Sequence, residues 1–137
     1  MGARKRISAA QRTQAKKGLT GARLRAVPSS PRKMRLVTGS IKGQGVADAL
    51  AILKYSKREA AKRVEKLLLS AMANWQRKNA ETSIEAADLF VKEIRVDGAK
   101  TLKRIRPAPQ GRAHRIRKRS NHITLILGAR KAAETDS

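Results

Sequence analysis

The spacing of apolar and polar positions near the start of the chain predicts a short strand. Over residues 22–27, apolar side chains alternate with basic ones. This period of two puts Leu24 and Ala26 on a core. The opposite face carries Arg23 and Arg25 and is expected to point outward.

Two later segments have the same period of two. In residues 89–98, Ile94 and Val96 alternate with charged side chains, and in residues 122–127 isoleucine and leucine alternate with threonine. Both segments contain the β-branched residues that strands favour. We therefore predict a strand in each.

The first helical pattern follows directly after the first strand. Ser30 offers an N-cap and is followed by a proline at the first helical position. Met34, Val37 and Ile41 then recur at helical spacing until a glycine ends the pattern. These signals predict a helix over residues 31–42.

Two further helices are predicted before residue 80. A short apolar stripe runs from Val46 to Leu53 and indicates about two turns. Ser56 with Glu59 three positions later is a capping-box pattern. The stripe of the third helix, which continues for about six turns, consists of Ala60, Val64, Leu67, Ala71 and Trp75.

The order of these elements predicts an α+β fold, with three helices packed on a small antiparallel sheet. The segment from Gly98 to Ser120 lies between the last two strands and is too polar for a core. It has a turn cluster at residues 107–111, so we predict a long extended β-hairpin arm. With about ten residues in each limb, such an arm extends roughly 30 Å and cannot pack on its own body.

Charge is distributed unevenly along the chain, and this points to a partner. The 137 residues contain 33 Lys and Arg against 10 Asp and Glu, a formal net charge of +23. Residues 1–47 hold twelve basic side chains and residues 98–131 hold eleven, and neither block contains an acid. Residues 48–97 hold ten basic and eight acidic side chains. Two basic blocks around a near-neutral middle favour a nucleic-acid partner, and two disordered basic tails are the alternative.

The residues that chemistry or membrane association would require are missing. There is no cysteine and there are only two histidines, so we expect no metal site and no cofactor. No segment has the length and apolarity of a secretory leader or a membrane span. Gly43-Gln44-Gly45 lacks the ending of a phosphate-binding loop, and Ser29 and Ser30 have no paired base nearby. The chain is expected to be no enzyme and to take no small-molecule substrate.

The positions of the histidines and aromatic residues restrict how the chain can bind a nucleic acid. His114 lies in the basic arm, where it is expected to touch RNA or water. His122 begins a strand and has two open interpretations, a structural role or a phosphate contact. Trp75 and Phe90 fall at core positions, which leaves no platform for base stacking. Recognition is therefore expected to come from Arg and Lys that reach the phosphates of a folded nucleic acid.

Several runs of the sequence resemble bacterial large-subunit ribosomal protein twenty-two. The resemblance covers about residues 22–128 and has its most specific part in the C-terminal third. The runs are Ser-Ser-Pro-Arg-Lys-Met-Arg-Leu-Val at 29–37, Ile-Lys-Gly at 41–43, Ala49-Leu50, Ile52-Leu53, Ser-Ala-x-Ala-Asn within 68–74, Lys-Arg-Ile at 103–105, Gly-Arg-Ala at 111–113, Arg115-Ile116 and Lys-Arg-Ser-Asn-His-Ile-Thr at 118–124.

The resemblance implies a function in the ribosome. Such a protein has three helices on a small antiparallel sheet, binds large-subunit rRNA near the polypeptide exit, and supports subunit assembly. Its hairpin, here about residues 98–117, lines the exit tunnel. The implied partners are large-subunit rRNA, neighbouring ribosomal proteins and the nascent polypeptide, with no membrane, and the implied location is the ribosome in the cytoplasm.

The expected domain organisation has three parts. Residues 1–21 form a basic extension that becomes ordered only on rRNA. Residues 22–128 form the globular rRNA-binding domain with its hairpin, and residues 129–137 form a tail.

Charge and the resemblance together select the site residues. Those expected at rRNA are Arg23, Arg25, Arg32, Lys33, Arg35, Lys42, Lys103, Arg104, Arg106, Arg112, Arg115, Arg117, Lys118, Arg119 and His122. Those implied at the tunnel wall are Leu102, Lys103, Arg104, Pro107, Ala108, Pro109, Gln110, Gly111 and Arg112. Within the arm, we expect Arg115, Arg117 and Arg119 to govern rRNA affinity, and Lys103 and Arg104 to affect the tunnel.

Two other classes of protein stay open at this point. An architectural DNA-binding protein also uses a basic ribbon, and Pro107 and Pro109 stand where such a ribbon kinks duplex DNA. Competition between duplex DNA and structured rRNA separates this class from the first. A cationic membrane-active protein is disfavoured, because the arm lacks the Trp, Phe and Leu face that insertion into a bilayer surface requires.

Overall fold

Four helices and two antiparallel sheets make up the described part of the chain. The computed structural model describes residues 3–130. In chain order the elements are α1 (Ala3–Gly18), β1 (Thr20–Val27), α2 (Pro31–Ile41), α3 (Val46–Tyr55), α4 (Glu59–Lys78), β2 (Leu89–Gly98), β3 (Leu102–Pro107), β4 (Ala113–Lys118) and β5 (Asn121–Ala129). The predicted α+β class is confirmed.

The larger sheet has β5 at its centre. The strand order is β1-β5-β2, and both pairings are antiparallel. Ile123, Leu125 and Leu127 of β5 are almost fully buried against the helices. Alternate side chains of a strand point to opposite faces, so the remaining residues of β5 lie on the other face of the sheet. The hydrophobic core is therefore the layer between this sheet and the helices.

The predicted apolar stripes of α2 and α4 are confirmed. Met34, Val37 and Ile41 are buried on α2, and Val64 and the later stripe residues of α4 are buried as well. Helix α4 extends for 20 residues, close to the six turns predicted. Burial of a regular stripe on each helix explains why the sequence pattern identified these elements.

One of the two predicted N-caps is confirmed in position, and the other is wrong. Ser30 is the N-cap residue of α2 and is followed by proline, as predicted, but its side chain makes no capping hydrogen bond. Helix α4 begins at Glu59 with Arg58 as its N-cap residue, so Ser56 stands too far ahead to complete a capping box. Instead the Ser56 hydroxyl accepts a long hydrogen bond of 3.5 Å from the Arg58 N–H.

Helix α1 is a fourth helix that the sequence pattern did not predict. Its 16 residues have no acidic side chain in the first turn and no apolar stripe, and Ile7 is 55% exposed. The first strand begins at Thr20, which pairs with Leu127, so the folded domain starts two residues before the predicted boundary. Of the predicted C-terminal tail, residues 131–137 lie outside the described residues.

Strand β1 contains a β-bulge that breaks the predicted alternation. Leu24 pairs with Ile123 and Val27 pairs with Asn121, so β1 has one residue more than β5 over this interval. Ala26 adopts a positive φ of 53° and is exposed, and Val27 takes the place in the core that was predicted for Ala26.

The arm is confirmed as an exposed β-hairpin. All six residues of β3 are exposed, and in β4 only Ile116 is half-buried. Ala99 donates its N–H to the carbonyl of Ser120 (2.9 Å), which extends the β2–β5 ladder toward the arm. The turn lies at the predicted place, with positive φ at Gln110 and Gly111. The paired limbs have six residues instead of about ten, so the regular part extends roughly 20 Å.

Candidate nucleic-acid interface

The register of the arm sorts its side chains into two faces. Directly paired residues of an antiparallel ladder lie on the same face, and successive residues lie on opposite faces. The first face, here the Arg115 face, consists of Lys103, Ile105, Pro107, Ala113, Arg115 and Arg117. The second, here the Arg104 face, consists of Leu102, Arg104, Arg106, His114, Ile116 and Lys118. Each face has three Lys or Arg side chains and exposed apolar side chains among them.

This register determines which basic residues of the arm lie on the same face and can act together. Lys103 is the direct partner of Arg117, so these two cations lie side by side. Arg104 pairs with Ile116 on the other face and donates a hydrogen bond to the Lys103 carbonyl (2.8 Å). Lys103 and Arg104, which were expected to act together, therefore lie on opposite faces of the arm. Their expected roles stay a prediction.

The tip of the arm is a tight turn with one cation. Ala108 donates its N–H to the Arg112 carbonyl (2.9 Å), and Arg112 donates its backbone N–H to the Pro109 carbonyl (3.4 Å). Arg112 and the other five residues predicted for the tip, from Pro107 to Gly111, thus stand together at the end farthest from the core. Arg119 lies at the base of the arm, between β4 and β5.

The predicted body residues lie on several elements. Arg23 and Arg25 are exposed on β1, Arg32 and Lys33 are exposed in the first turn of α2, and Lys42 is exposed after its end. They belong to different elements, and the structure gives no contact that joins them into one cluster. Arm and body thus present separate cationic surfaces.

Arg35 has a role in the fold. Its guanidinium donates a hydrogen bond to the carbonyl of Val96 (3.0 Å), which ties α2 to the edge strand β2. The side chain is exposed, so the guanidinium also has donors on its solvent side. The predicted rRNA contact of Arg35 stays a prediction.

His122 is a structural residue that keeps one free ring atom. Its Nδ1 accepts a hydrogen bond from the Ala26 N–H (2.9 Å), which holds the β1 bulge. An Nδ1 that accepts carries no proton, so the neutral ring has its proton on Nε2. The structural interpretation is confirmed, and a phosphate contact through Nε2–H stays a prediction.

We expect His122→Ala to destabilise the bulge by about 1 kcal/mol, because the Ala26 N–H loses its acceptor. An asparagine side chain places its Oδ1 close to the position of Nδ1, so His122→Asn should recover part of that loss. Thermal unfolding of the two variants and the unchanged protein measures the difference. Equal loss in both variants would show that the Ala26 hydrogen bond does not stabilise the fold.

A cationic groove between β1 and α4 was missed by the sequence analysis. We call it the β1–α4 groove. It has a volume of about 390 Å³, and its lining includes Arg23 and Arg25 from β1 with Arg63 and Lys66 from α4. The sequence assigned no function to the basic residues of α4. Only the packing of this helix beside β1 shows that two of them face the arginines of the strand.

One aromatic ring lies on the surface, and the expectation of binding without base stacking stays a prediction. Tyr55, at the end of α3, is 84% exposed. Trp75 is buried as predicted, and Phe90 is half-buried with the guanidinium carbon of Arg130 5.4 Å from its ring centre. One exposed ring is a small platform compared with the basic side chains of the arm, which remain the dominant surface.

Metal ligands do not cluster within residues 3–130: no group of three or more His, Asp and Glu side chains there could hold a metal ion. Across the same residues, no helix is both long enough and apolar enough to span a membrane.

An α+β body with an exposed, acid-free basic arm is typical of the class of small basic proteins that bind nucleic acid. The chain belongs to one family within this class, described as ribosomal protein L22p/L17e, whose family model matches residues 22–128. The match has the bounds of the resemblance described above. It confirms a protein of the large ribosomal subunit with its place in the ribosome.

Relatives with known names agree with this assignment, and each is named large ribosomal subunit protein uL22. The protein of Christiangramia forsetii is 63% identical over 129 residues, which cover 94% of this chain and 96% of the relative. That of Flavobacterium johnsoniae is 58% identical over 137 residues and covers both chains fully. That of Bacteroides thetaiotaomicron is 60% identical over 134 residues, 98% of each chain.

Proposed function

We propose that this chain binds large-subunit rRNA, supports subunit assembly, and lines the polypeptide exit tunnel with its β-hairpin. The observation that carries the proposal is the arm. Residues 99–119 contain nine Lys and Arg and no acid, and β3 is exposed along its whole length. A two-stranded ribbon is marginally stable in water, so phosphates around it would both neutralise and order it.

Recognition by this arm uses charge and shape. Guanidinium groups bind phosphate oxygens with two parallel hydrogen bonds, and ordered phosphates of a folded RNA fix where such groups can bind. Binding of this kind weakens steeply with salt, because each phosphate contact releases counterions. The same cations would support subunit assembly, because they offset the repulsion between RNA segments that are brought close together.

The two faces of the arm are proposed to have different partners. The Arg115 face, with Lys103 beside Arg117, would bind rRNA. The Arg104 face would line the tunnel together with the tip and meet the nascent polypeptide. The basic extension before β1, whose residues 3–18 form α1, would be held in place on rRNA. Neighbouring ribosomal proteins would complete the surroundings in the cytoplasmic ribosome, and the chain would perform no catalysis.

A matched pair of triple variants tests this division. Lys103, Arg115 and Arg117 replaced by Gln should lower rRNA affinity by about 10-fold or more and reduce the salt slope by about 2, because three phosphate contacts are lost. Arg104, Arg106 and Lys118 replaced by Gln remove the same charge from the other face and should lower affinity much less. Filter binding to large-subunit rRNA at several salt concentrations gives both numbers. Equal losses would contradict a division by face.

The proposed function is tested by fractionation of the tagged protein in its native cells. Large subunits are separated on a sucrose gradient and washed in high salt. Retention in the washed subunits supports the proposal. A free or nucleoid-associated pool would instead favour a DNA-bending protein, as would duplex DNA that outcompetes structured rRNA at physiological salt.

A further inference from the structure

The β1–α4 groove collects basic side chains from two elements that are far apart in sequence. Arg63, Lys66 and Ser70 follow one another at helical spacing, so they occupy one face of α4. This face lies along β1, which contributes Arg23 and Arg25. None of the residues that line the groove is acidic.

The groove lies along an open stretch of a sheet edge. Strand β1 is an edge strand of the larger sheet. At its start, Asn74 donates a hydrogen bond to the Gly21 carbonyl (3.1 Å), and Lys78 donates to the Leu19 carbonyl (2.9 Å). Side chains of α4 thus cover the first part of the edge, and the part from Arg23 onward opens into the groove. Unpaired strand edges are usually covered in a finished assembly.

The bulge shapes the floor of the groove. Ala26 and Val27 line it, and Ala26 is held in its positive-φ conformation by the ring of His122. Leu67 contributes an apolar side chain below the cations. The floor is therefore fixed by the fold, while the charged side chains around it reach outward.

We propose that the β1–α4 groove is an RNA-binding site, separate from the arm, that takes the phosphate backbone of folded rRNA. The inference rests on the proposed function and extends it to Arg63 and Lys66, two residues outside the predicted site. Four cations around a groove whose lining has no acid match the regular negative charge of a phosphate backbone. RNA in this groove would also cover the open edge of β1.

Glu59 is bound to Arg63, one of the four cations of the groove, and so affects how readily Arg63 can bind a phosphate. Its carboxylate accepts a hydrogen bond from the Arg63 guanidinium (2.7 Å), and this contact lowers the pKa of the Glu59 carboxyl. A phosphate that approaches Arg63 competes with this carboxylate. Removal of the Glu59 charge should therefore strengthen binding by releasing the guanidinium.

The test uses the full chain and large-subunit rRNA from the same cells, with affinity measured over a range of salt. Arg63→Gln with Lys66→Gln should lower affinity by about 10-fold and the salt slope by about 1.5. Lys54→Gln with Lys57→Gln removes the same charge outside the groove and is the matched control, expected to change affinity by less than about 3-fold. Thermal unfolding verifies that each variant is folded.

A second pair of variants raises affinity instead of lowering it. Glu59→Gln should tighten binding by about 3-fold, whereas Glu65→Gln, which removes the same charge without an Arg63 contact, should tighten it less. Because these variants strengthen binding, loss of folding cannot imitate the expected result. Equal tightening in both would mean that net charge alone acts, which would overturn the proposal.

The failures of the two proposals are distinguishable. If the unchanged protein binds rRNA and enters large subunits, but the Arg63 and Lys66 variant binds like the Lys54 and Lys57 control, the groove proposal is wrong and the proposed function stands. If the unchanged protein neither binds rRNA nor enters subunits, both fail. A photo-crosslinker at Ser70 in assembled subunits should react with rRNA, and reaction with an acidic protein segment would overturn the groove proposal.

Discussion

Replacement of the arm by a short turn should leave the body folded and remove most of the affinity for rRNA. Gly98 pairs with Asn121, so an Asn-Gly turn can join these residues after deletion of residues 99–120. The deletion removes nine positive charges. At near-physiological salt we expect affinity to fall by at least about 100-fold and the salt slope to become shallower by about 4, since about half of the residues expected at rRNA lie in the arm.

The body should tolerate this deletion because the arm contributes nothing to the core. We expect the midpoint of thermal unfolding to shift by less than about 3 °C, which corresponds to less than about 0.8 kcal/mol for a domain of this size. A second variant keeps the arm and replaces its nine cations by Gln, and it separates the effect of charge from that of shape. If arm deletion changed affinity by less than about 3-fold, the body and not the arm would be the main rRNA-binding surface.

The largest effect on stability is expected from Gly21→Ala. A Cβ at residue 21 would overlap the carbonyl oxygen of Leu125 and stand 3.0 Å from the Cα of Ile126, both on the central strand β5. Backbone atoms cannot move aside as a flexible side chain can, so β1 must shift away from β5. The shift would also break the hydrogen bond from Asn74 to the Gly21 carbonyl. We expect a loss of about 3 kcal/mol or more, at the upper end of overpacking effects.

Gly98→Ala is the matched control for this substitution. Gly98 is also a strand glycine, but a Cβ there would meet nothing within 4 Å. The midpoint of unfolding of the Gly98→Ala variant should change by only a few degrees, whereas Gly21→Ala should lower the midpoint by at least about 10 °C or prevent folding. Similar midpoints for the two variants would show that the close approach of β1 and β5 is not required.

Sequence patterns predicted those helices and strands whose apolar residues recur at regular spacing within the element itself. The stripes of α2 and α4 and the alternation in β5 were found because each buries one regular face. The turn of the arm was found because its residue types restrict the backbone locally. The fold class followed from the order of these elements alone.

The features that were missed depend on contacts between distant residues or on the absence of a pattern. Ala26 reads as a core residue until His122, 96 positions away, is known to hold its backbone in a bulge. Helix α1 has no apolar stripe, so periodicity gave no signal. The β1–α4 groove depends on the packing of α4 beside β1, which brings Arg23 and Arg63 into one lining and which no local spacing reveals. The faces of the arm likewise required the register between its strands.

The central position of β5 determines when the sheet can form during synthesis. Strands β1 and β2 both pair with β5, and Thr20 meets its partner Leu127 only after the other described elements have been made. The β1–β5 pairing is long-range and therefore slow, because a large loop must close before its contacts are gained, whereas β2 and β5 are joined by the arm alone. Helices α2 to α4 can associate earlier, with β1 and β2 still unpaired beside them. A nascent chain of this charge therefore exposes two unpaired strands until β5 has been made. A polyanion or a chaperone that shields these strands would limit aggregation.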